Sequence, residues 1–270
     1  MIPIALITGA TSGFGKACAE KFAAAGYDLI ITGRRKERLD ALAAELSAHT
    51  PPRLTRSVDG PDPVVHTHIK VLPLVFDVQD KTAVSAAIGA LPPAWKKIDL
   101  LINNAGLALG RDFFDEASMD DWETMIDTNV KGLLYVSRAV IPLMVERKKG
   151  HIINMGSVAA KEIYEKGNVY CASKAAVDAI SRSMRIDLLR HHIKVTVIHP
   201  GAAETEFSTV RFKGDETLAR KIYEGFTPLS AEDVADAIFY CASLPAHVCV
   251  NQLILTCTAQ ADAIYFHKEL

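Results

Sequence analysis

Tyr170 and Lys174 stand four residues apart in Tyr170-Cys171-Ala172-Ser173-Lys174, and Ser157 precedes the tyrosine by thirteen. In a helix of about 3.6 residues per turn, the phenol and the ammonium share one face. A phenol titrates near pH ~10 and exchanges protons poorly at neutrality. A cation fixed alongside favours phenolate and brings that value toward the working range. Ser157 follows the apolar run His151–Met155 and is expected at a strand's end. Its hydroxyl could hold a carbonyl or alkoxide oxygen while the tyrosine moves the proton. Taken alone, a tyrosine and a lysine at this spacing describe a solvated helix better than a site. The elements around them have to decide.

The first of those elements is an apolar run over residues 3–8, followed by Thr8-Gly9-Ala10-Thr11-Ser12-Gly13-Phe14-Gly15 and a helical stretch from Lys16 to Ala25. Strand, glycine turn and helix start form an anion site, because free backbone N–H groups face the incoming phosphate. Gly9 and Gly13 allow close approach and Gly15 lets the helix pack on the strand, although the spacing is G-x-x-x-G-x-G rather than G-x-G-x-x-G. A second strand, Asp28–Thr32, ends at Gly33-Arg34-Arg35, where an acid would bind a ribose 2′-hydroxyl. Glycine and two arginines suit a 2′-phosphate instead, through charge-assisted forks. They therefore point to NADP rather than NAD, the alternative being solvated charges that open the helix Lys36–Leu46.

Further strands are expected at Val71–Phe76, Ile98–Ile102, Lys194–Ile198 and Val250–Leu255, with helices over Lys81–Leu91, Trp122–Arg147 and, capped by Ser230, up to Ser243. Strands and helices alternate without repeat or linker. The expectation is α/β: one domain over residues 1–270, a doubly wound parallel sheet of Rossmann type with helices on both faces. Asp77, followed by Val78, could offer a carboxylate to an adenine amino group or cap a helix. Asn103-Asn104-Ala105-Gly106 leaves room for a flat ring at a strand's carboxyl end. Asn129 could prop a helix kink or hold a water. Residues 202–225 fit a substrate lid, and the proline-bearing residues 47–68 read as an extra surface segment.

Composition narrows the partners. Thirty basic and 32 acidic residues leave a net charge of -2, which suggests neither nucleic acid nor a membrane surface. The start of the chain reads as a strand rather than a signal peptide, and no apolar run nears the ~20 residues of a membrane span. Cytosol is the expected compartment, and the C-terminal His267-Lys268-Glu269-Leu270 is taken as a chance likeness to a retrieval signal. Five cysteines without a C-x-x-C pair are expected to be reduced thiols, with Cys171 the one that could be reachable. His49, His66 and His68 lack an accompanying acid or thiol cluster, so no metal is expected.

Taken together, Thr8-Gly9…Gly13-Phe14-Gly15, Asn103-Asn104-Ala105-Gly106, Asn129, Ser157, Tyr170-x-x-x-Lys174 and Pro200-Gly201 make the chain resemble a short-chain dehydrogenase/reductase over nearly its whole length. The resemblance implies Tyr170 as general acid/base and Ser157 as the residue that steadies the substrate oxygen. Lys174 would lower the tyrosine's pKa and hold the nicotinamide ribose, with Asn129 anchoring a water of the proton relay. Cofactor contacts are expected from Gly9, Thr11, Ser12, Gly13, Phe14, Gly15, Arg34, Arg35, Asp77, Val78, Asn104, Ala105 and Gly106, and from Tyr170, Lys174, Pro200, Gly201 and Thr205.

Asp121–Asn129 and Thr205–Gly214 further resemble the NADP-dependent 3-hydroxy acid dehydrogenase branch, which implies a small carboxylate substrate and a homotetramer. Arg211 and Lys213 would supply the cation for that carboxylate, unless Arg211 only pairs with Glu206 or a neighbouring subunit. The alternative activity is NADPH-dependent reduction of another small ketone, sugar or acyl substrate. Two departures stand out. The 50–68 connection is long for the family, and Lys161-Glu162-Ile163-Tyr164-Glu165 is unusually charged for a pocket wall. The arginine reading has a direct test. A Gly33→Asp, Arg34→Ala double variant is expected to lose about 10–100-fold of its NADPH-over-NADH preference in kcat/KM, and an unchanged preference removes the assignment.

Overall fold

The apolar strands alternate their burial. In β1 (Ile4–Thr8), Ala5 and Ile7 face one side of the sheet, and Ile4 and Leu6 the other. All five positions are buried, as in a parallel strand covered on both faces. The computed structural model describes residues 2–49, 53–55 and 65–269. Its main sheet has seven parallel strands in the order β5-β2-β1-β6-β7-β8-β9, where β2 is Asp28–Gly33, β5 Val71–Val75, β6 Ile98–Asn103, β7 Gly150–Met155, β8 Ile193–Pro200 and β9 Gln252–Leu255. The chain winds outward from β1 to β2 and β5, then restarts beside β1 with β6 and proceeds the other way. That reversal opens a crevice at the carboxyl ends of β1 and β6, the position where such sheets bind ligands.

Helices α1 (Gly13–Ala24), α2 (Lys36–His49) and α9 (Ala231–Ser243) cover one face through Phe22, Leu39, Val234 and Ile238. The other face lies under α3 (Lys81–Gly89), α5 (Leu133–Arg147) and α6 (Asn168–Leu188), with Val84, Ile88, Val136, Val140, Met144 and Leu188 in its core. Ser230 caps α9, as the sequence suggested, and Asp233 returns a bond to make the cap a reciprocal box. Four of the five free cysteines are buried, Cys171 among them, which corrects the expectation that it is reachable.

Three segments differ from the sequence reading. The stretch expected as surface excursion contains a short antiparallel pair, β3 (Arg53–Thr55) with β4 (Val65–Thr67), set apart from the main sheet. The side chains of His49 and His66 lie outside the described set. The helix expected over 122–147 is three pieces: α4 (Met119–Ile126), a π-helical turn (Asp127–Gly132) and α5. The wide turn follows from side-chain demands, since Asn129 bonds sideways and Gly132 lies where a Cβ would meet Val78 Cγ2 at 2.7 Å. The 202–225 segment holds two short capped helices, α7 (Glu206–Arg211) and α8 (Glu216–Lys221). Among the described residues, no helix is long and apolar enough to cross a membrane, and no group of three or more His, Cys, Asp or Glu gathers to hold a metal.

At the amino end of the central strands, Asp99 of β6 ties β1 to the end of α5. It accepts the Ile4 N–H (3.1 Å), Arg147 Nη2 (2.6 Å) and Lys149 Nζ (2.9 Å). Burial works to raise its pKa, but the bonds from Lys149, Arg147 and Ile4 outweigh it and hold the carboxyl below the usual range. A carboxyl depressed in the folded state stabilises above its unfolded pKa of about 3.9 and loses that contribution as pH falls through the folded value. Asp99→Asn is therefore expected to cost about 1–3 kcal/mol at pH 7. The deficit should shrink below pH ~4 in urea unfolding series, and a pH-independent deficit would exclude this ion-pair account.

Candidate active site

Thr8 closes β1 with a hydroxyl that accepts the N–H groups of Asn104 and Ala105, both at 3.0 Å. Asn104 returns two bonds through Nδ2, to Thr8 O (2.9 Å) and Gly9 O (3.1 Å). The turn after β1 is thereby fastened to the end of β6 across the crevice. The turn must also be tight. Gly9 has φ +65° and Gly13 φ +51°, and a Cβ on Gly15 would fall 2.2 Å from Gly9 O and 2.5 Å from Asn104 Nδ2. Ser12 caps α1 with an extended backbone, and its hydroxyl makes no capping bond. The first-turn N–H groups, which a helix leaves without internal partners, front this turn.

Guanidinium groups gather beside it. Arg35 Nη2 donates to Thr11 Oγ1 (2.8 Å) and Ser12 Oγ (3.4 Å), and Arg34 Nη1 meets Asp77 Oδ2 at 3.4 Å. Two further residues belong to the cluster and were missed from sequence. Arg38 bonds Glu206 Oε1 and Oε2 (3.2 and 3.4 Å), and Arg35 Nη1 lies 3.7 Å from Glu206 Oε2. One helical turn from Arg35, Arg38 could have been found by periodicity, whereas nothing local announces Glu206, on α7. Helix capping falls to Asp80 rather than Asp77, whose Oδ1 accepts the Gln79 N–H. Val78 packs its side chain toward Gly132. A glycine turn at a helix start, flanked by hydroxyls and arginines where β2 ends in glycine, fits a dinucleotide bearing a 2′-phosphate.

Across the crevice, α6 presents Tyr170 and Lys174, 8% and 6% exposed. Lys174 Nζ donates to Met155 O at 2.9 Å and stands 5.9 Å from the Tyr170 ring centre. The Ser157 side chain lies near enough to the Tyr170 hydroxyl to weigh on its proton. Ser157 leaves β7 to cap a single 3-10 turn, its Oγ accepting the Ala159 N–H at 3.1 Å. Asn129 clasps the loop after β6: Oδ1 accepts Leu107 N–H (2.8 Å), while Nδ2 donates to Leu107 O (2.8 Å) and Ser173 Oγ (3.0 Å). All four sequence-predicted residues thus meet at one end of the sheet. Thr205 caps α7 and sits 3.5 Å from where a Gly13 Cβ would stand, and Gly201 packs under Gln260.

The electrostatics depart from expectation. Burial, with Tyr164 adding to it, drives the Tyr170 pKa upward, and the Ser157 hydroxyl and the Arg211 charge work against that rise. Burial also lowers Lys174 to about 8. The expected depression of Tyr170 is not seen, because desolvation of the buried phenol outweighs the charges near it. The cation acting on the phenol is Arg211, buried on α7 with Cζ 5.5 Å from the Tyr170 ring centre. Its Nη1 donates to Tyr164 OH (3.0 Å) and its Nε to Gly110 O (3.3 Å), so it does not pair with Glu206. Lys213 is corrected as a pocket cation: φ +53° at the end of α7 accompanies a side chain that reaches Asp121 at 2.8 Å.

A cavity of about 900 Å³ opens above these groups, lined by Ser157, Tyr170, Thr205, Phe207 and Arg211. Ile264, Phe266 and Lys268 near the C-terminus complete its wall, and no periodic signal in the sequence marks them. The charged 161–165 stretch contributes little charge there. Lys161 bonds Asp178 (2.9 Å) and Gln252 (3.0 Å), Glu162 takes the Ala263 N–H (3.1 Å), and Glu165 alone of its charges lines the cavity.

Known proteins resemble this chain in sequence and fold. The short chain dehydrogenase family profile matches residues 3–216. An NADP-dependent 3-hydroxy acid dehydrogenase of Salmonella typhi is 46% identical over 261 residues, covering 96% of this chain and 97% of that protein. Sulfoacetaldehyde reductase 2 of Chromohalobacter salexigens is 47% identical, with 97% and 96% covered. Among solved structures, the closed form of serine dehydrogenase complexed with NADP+ superposes with a TM-score of 0.85 at 44% identity, covering 98% of this chain and all of that one. With its seven-stranded parallel sheet and the serine, tyrosine and lysine gathered at the sheet's carboxyl edge, the chain belongs to the short-chain dehydrogenase/reductase family.

Proposed function

We propose that this oxidoreductase moves hydride between NADP(H) and the 3-position of a small 3-hydroxy acid, of the serine or 3-hydroxypropionate/malonic semialdehyde type. The 3-hydroxy acid dehydrogenase relative is NADP-dependent and the serine dehydrogenase neighbour carries NADP+, and the arginines beside β2 are suited to the 2′-phosphate. In our reading, Gly9, Gly13, Gly15, Thr11, Ser12 and Phe14 hold the pyrophosphate side. Asp77 and Val78 border the adenine, and Asn104, Ala105, Gly106, Pro200, Gly201 and Thr205 border the nicotinamide half. When bound, the nicotinamide donates or accepts the hydride.

The chain's own groups handle the oxygen. Ser157 Oγ holds the substrate oxygen and Tyr170 exchanges the proton. A phenol kept protonated by burial suits donation to an alkoxide as it forms. Lys174 supports the cofactor ribose, and Asn129 keeps the loop after β6 against α6. The single observation that carries the substrate class is Arg211, a buried guanidinium beside Tyr170 with a fork suited to a carboxylate. Residues 202–225 act as the lid that brings it there. A second reading, a sulfonate-bearing aldehyde, is favoured by the sulfoacetaldehyde reductase relative and uses the same arginine. We further read the assembly as a homotetramer in the cytosol. Ile186 and Leu189, exposed on and just beyond α6, support an interface that sedimentation can test.

Arg211→Ala is expected to lower kcat/KM for serine or 3-hydroxypropionate about 10–100-fold, with little change for an uncharged alcohol of the same length. Undiminished turnover of the acids removes the carboxylate role. Tyr170→Phe should lose about 10²–10⁴ in kcat while still binding NADPH, and a brisk Tyr170→Phe enzyme ends the catalytic assignment. Turnover of sulfoacetaldehyde far above that of every hydroxy acid would select the second reading.

A further inference from the structure

The cavity above Tyr170 carries more positive charge than one small carboxylate needs. Its charged lining consists of Arg111, Lys166, Arg211, Lys221 and Lys268 against Glu165. Among the described residues, none of these cations is ion-paired with a carboxylate, whereas Lys213 and Arg220, from the same stretch of chain, pair with Asp121 and Glu216. Arg211 is the buried member, and its proposed partner is the acid group beside the reacting carbon. The other four have no role in that reading.

Three of the four are held against aromatic rings rather than left to trail in water. Arg111 Cζ lies 6.0 Å from the centre of the Tyr164 ring, and Arg211 Cζ lies 5.6 Å from the same centre. The Tyr164 hydroxyl also accepts Arg211 Nη1, so two guanidinium groups share one phenol. Lys166 follows two residues later, half-buried, with Nζ 4.0 Å from the Phe113 ring centre. Its backbone is left-handed, φ +61°, a conformation that a residue with a Cβ adopts at a cost. On the C-terminal wall, Lys268 Nζ donates to Ile222 O at 3.2 Å and stands 5.3 Å from the Phe226 ring centre. Lys221 is exposed at the end of α8.

Electrostatics then sort the substrates this wall can take. Like charges around one concavity repel one another, and low-dielectric walls weaken the screening between them. A monoanion relieves that repulsion only at Arg211. A second anionic group directed toward Arg111 and Lys166 would meet a planar fork and a point charge, both suited to oxyanions. An extended apolar group in the same place would strip water from those cations and return no bond.

We propose that Arg111 and Lys166 form a second anion subsite, and that the preferred substrate is a 3-hydroxy acid with a further anionic group, a carboxylate or a phosphate, at its far end. The inference rests on the reading that Arg211 takes the first carboxylate, and it leaves the hydride and proton steps as they stand.

The test measures kcat/KM of the full-length enzyme with NADP+ on 3-hydroxyglutarate and on its monoanionic isostere, 3-hydroxy-5-methylhexanoate. A phosphate arm uses 3-hydroxy-4-phosphonooxybutyrate. At least one dianion is expected to exceed the isostere about 10-fold, and the better of the two identifies the second group. The Arg111→Ala, Lys166→Ala double variant should remove most of that preference, and Arg111→Lys, which keeps the charge but loses the fork, should keep part of it. A binding readout accompanies the rates. Glutarate should inhibit 3-hydroxypropionate oxidation with a Ki about 10-fold below that of 5-methylhexanoate, and the double variant should bring the two together. Equal kcat/KM for both dianions and the isostere overturns the proposal, as does a preference that survives intact in the double variant. Turnover of 3-hydroxypropionate separates the two levels. An enzyme that needs Arg211 to oxidise 3-hydroxypropionate but prefers no dianion sinks the inference alone. If Arg211→Ala oxidises 3-hydroxypropionate undiminished, the carboxylate reading falls and the inference with it.

Discussion

An ammonium held out of water governs the architecture around the crevice. Lys174 is buried on α6, and an unpaired cation there would cost several kcal/mol. The Met155 carbonyl accepts it at 2.9 Å, at the point where β7 ends and the chain departs toward Ser157. That one bond fixes the longest helix of the described chain against the strand that delivers the serine. Burial still lowers the lysine to about 8, so at neutral pH it keeps most of its charge. The neighbours of Lys174 follow helical spacing: one turn back is Tyr170, one turn on is Asp178, and each engages the β7–β8 edge on its own terms.

Tyr170 occupies a different balance. Its ring packs against α7, with Phe207 5.7 Å away and the Arg211 guanidinium 5.5 Å from the ring centre. Desolvation is the larger influence, so the phenol is held as an acid. The arginine comes from a helix beyond β8 that is also tied to the loop after β6 by the Gly110 N–H to Arg211 O bond at 2.9 Å. Asn129 performs the matching task from beneath, exchanging bonds with Leu107 where the helix widens into a π turn. The loop after β6 is thus gripped from two sides, which makes a well-defined floor out of a segment without regular structure.

Much of this was legible in the sequence because it depends on local chemistry. Glycines at 9, 13 and 15, alternating apolar strands, and the Ser230–Asp233 cap all state their conformations within a few residues. The Tyr170–Lys174 pair was legible for the same reason. What escaped depends on long-range placement. Glu206 meets Arg38 across 168 positions, and Phe266 reaches the cavity from the last residues of the chain. Lys213 shows the opposite failure: its charge was visible, but a left-handed backbone and the carboxylate of Asp121 took it elsewhere. The direction of the Tyr170 shift was misjudged because proximity in sequence to a lysine says nothing about how dry the pair is.

The strand order carries a consequence for how such a chain assembles as it leaves the ribosome. β1 lies between β2, which follows within thirty residues, and β6, which begins at Ile98. During synthesis one flank of Ile4–Thr8 is therefore matched early, while the other stays an open, largely apolar edge until some ninety more residues have emerged. Over the same interval Thr8 has no Asn104 to bond. The half-built protein is at its stickiest where the finished one is most ordered, and the last step that shields this seam also assembles the crevice.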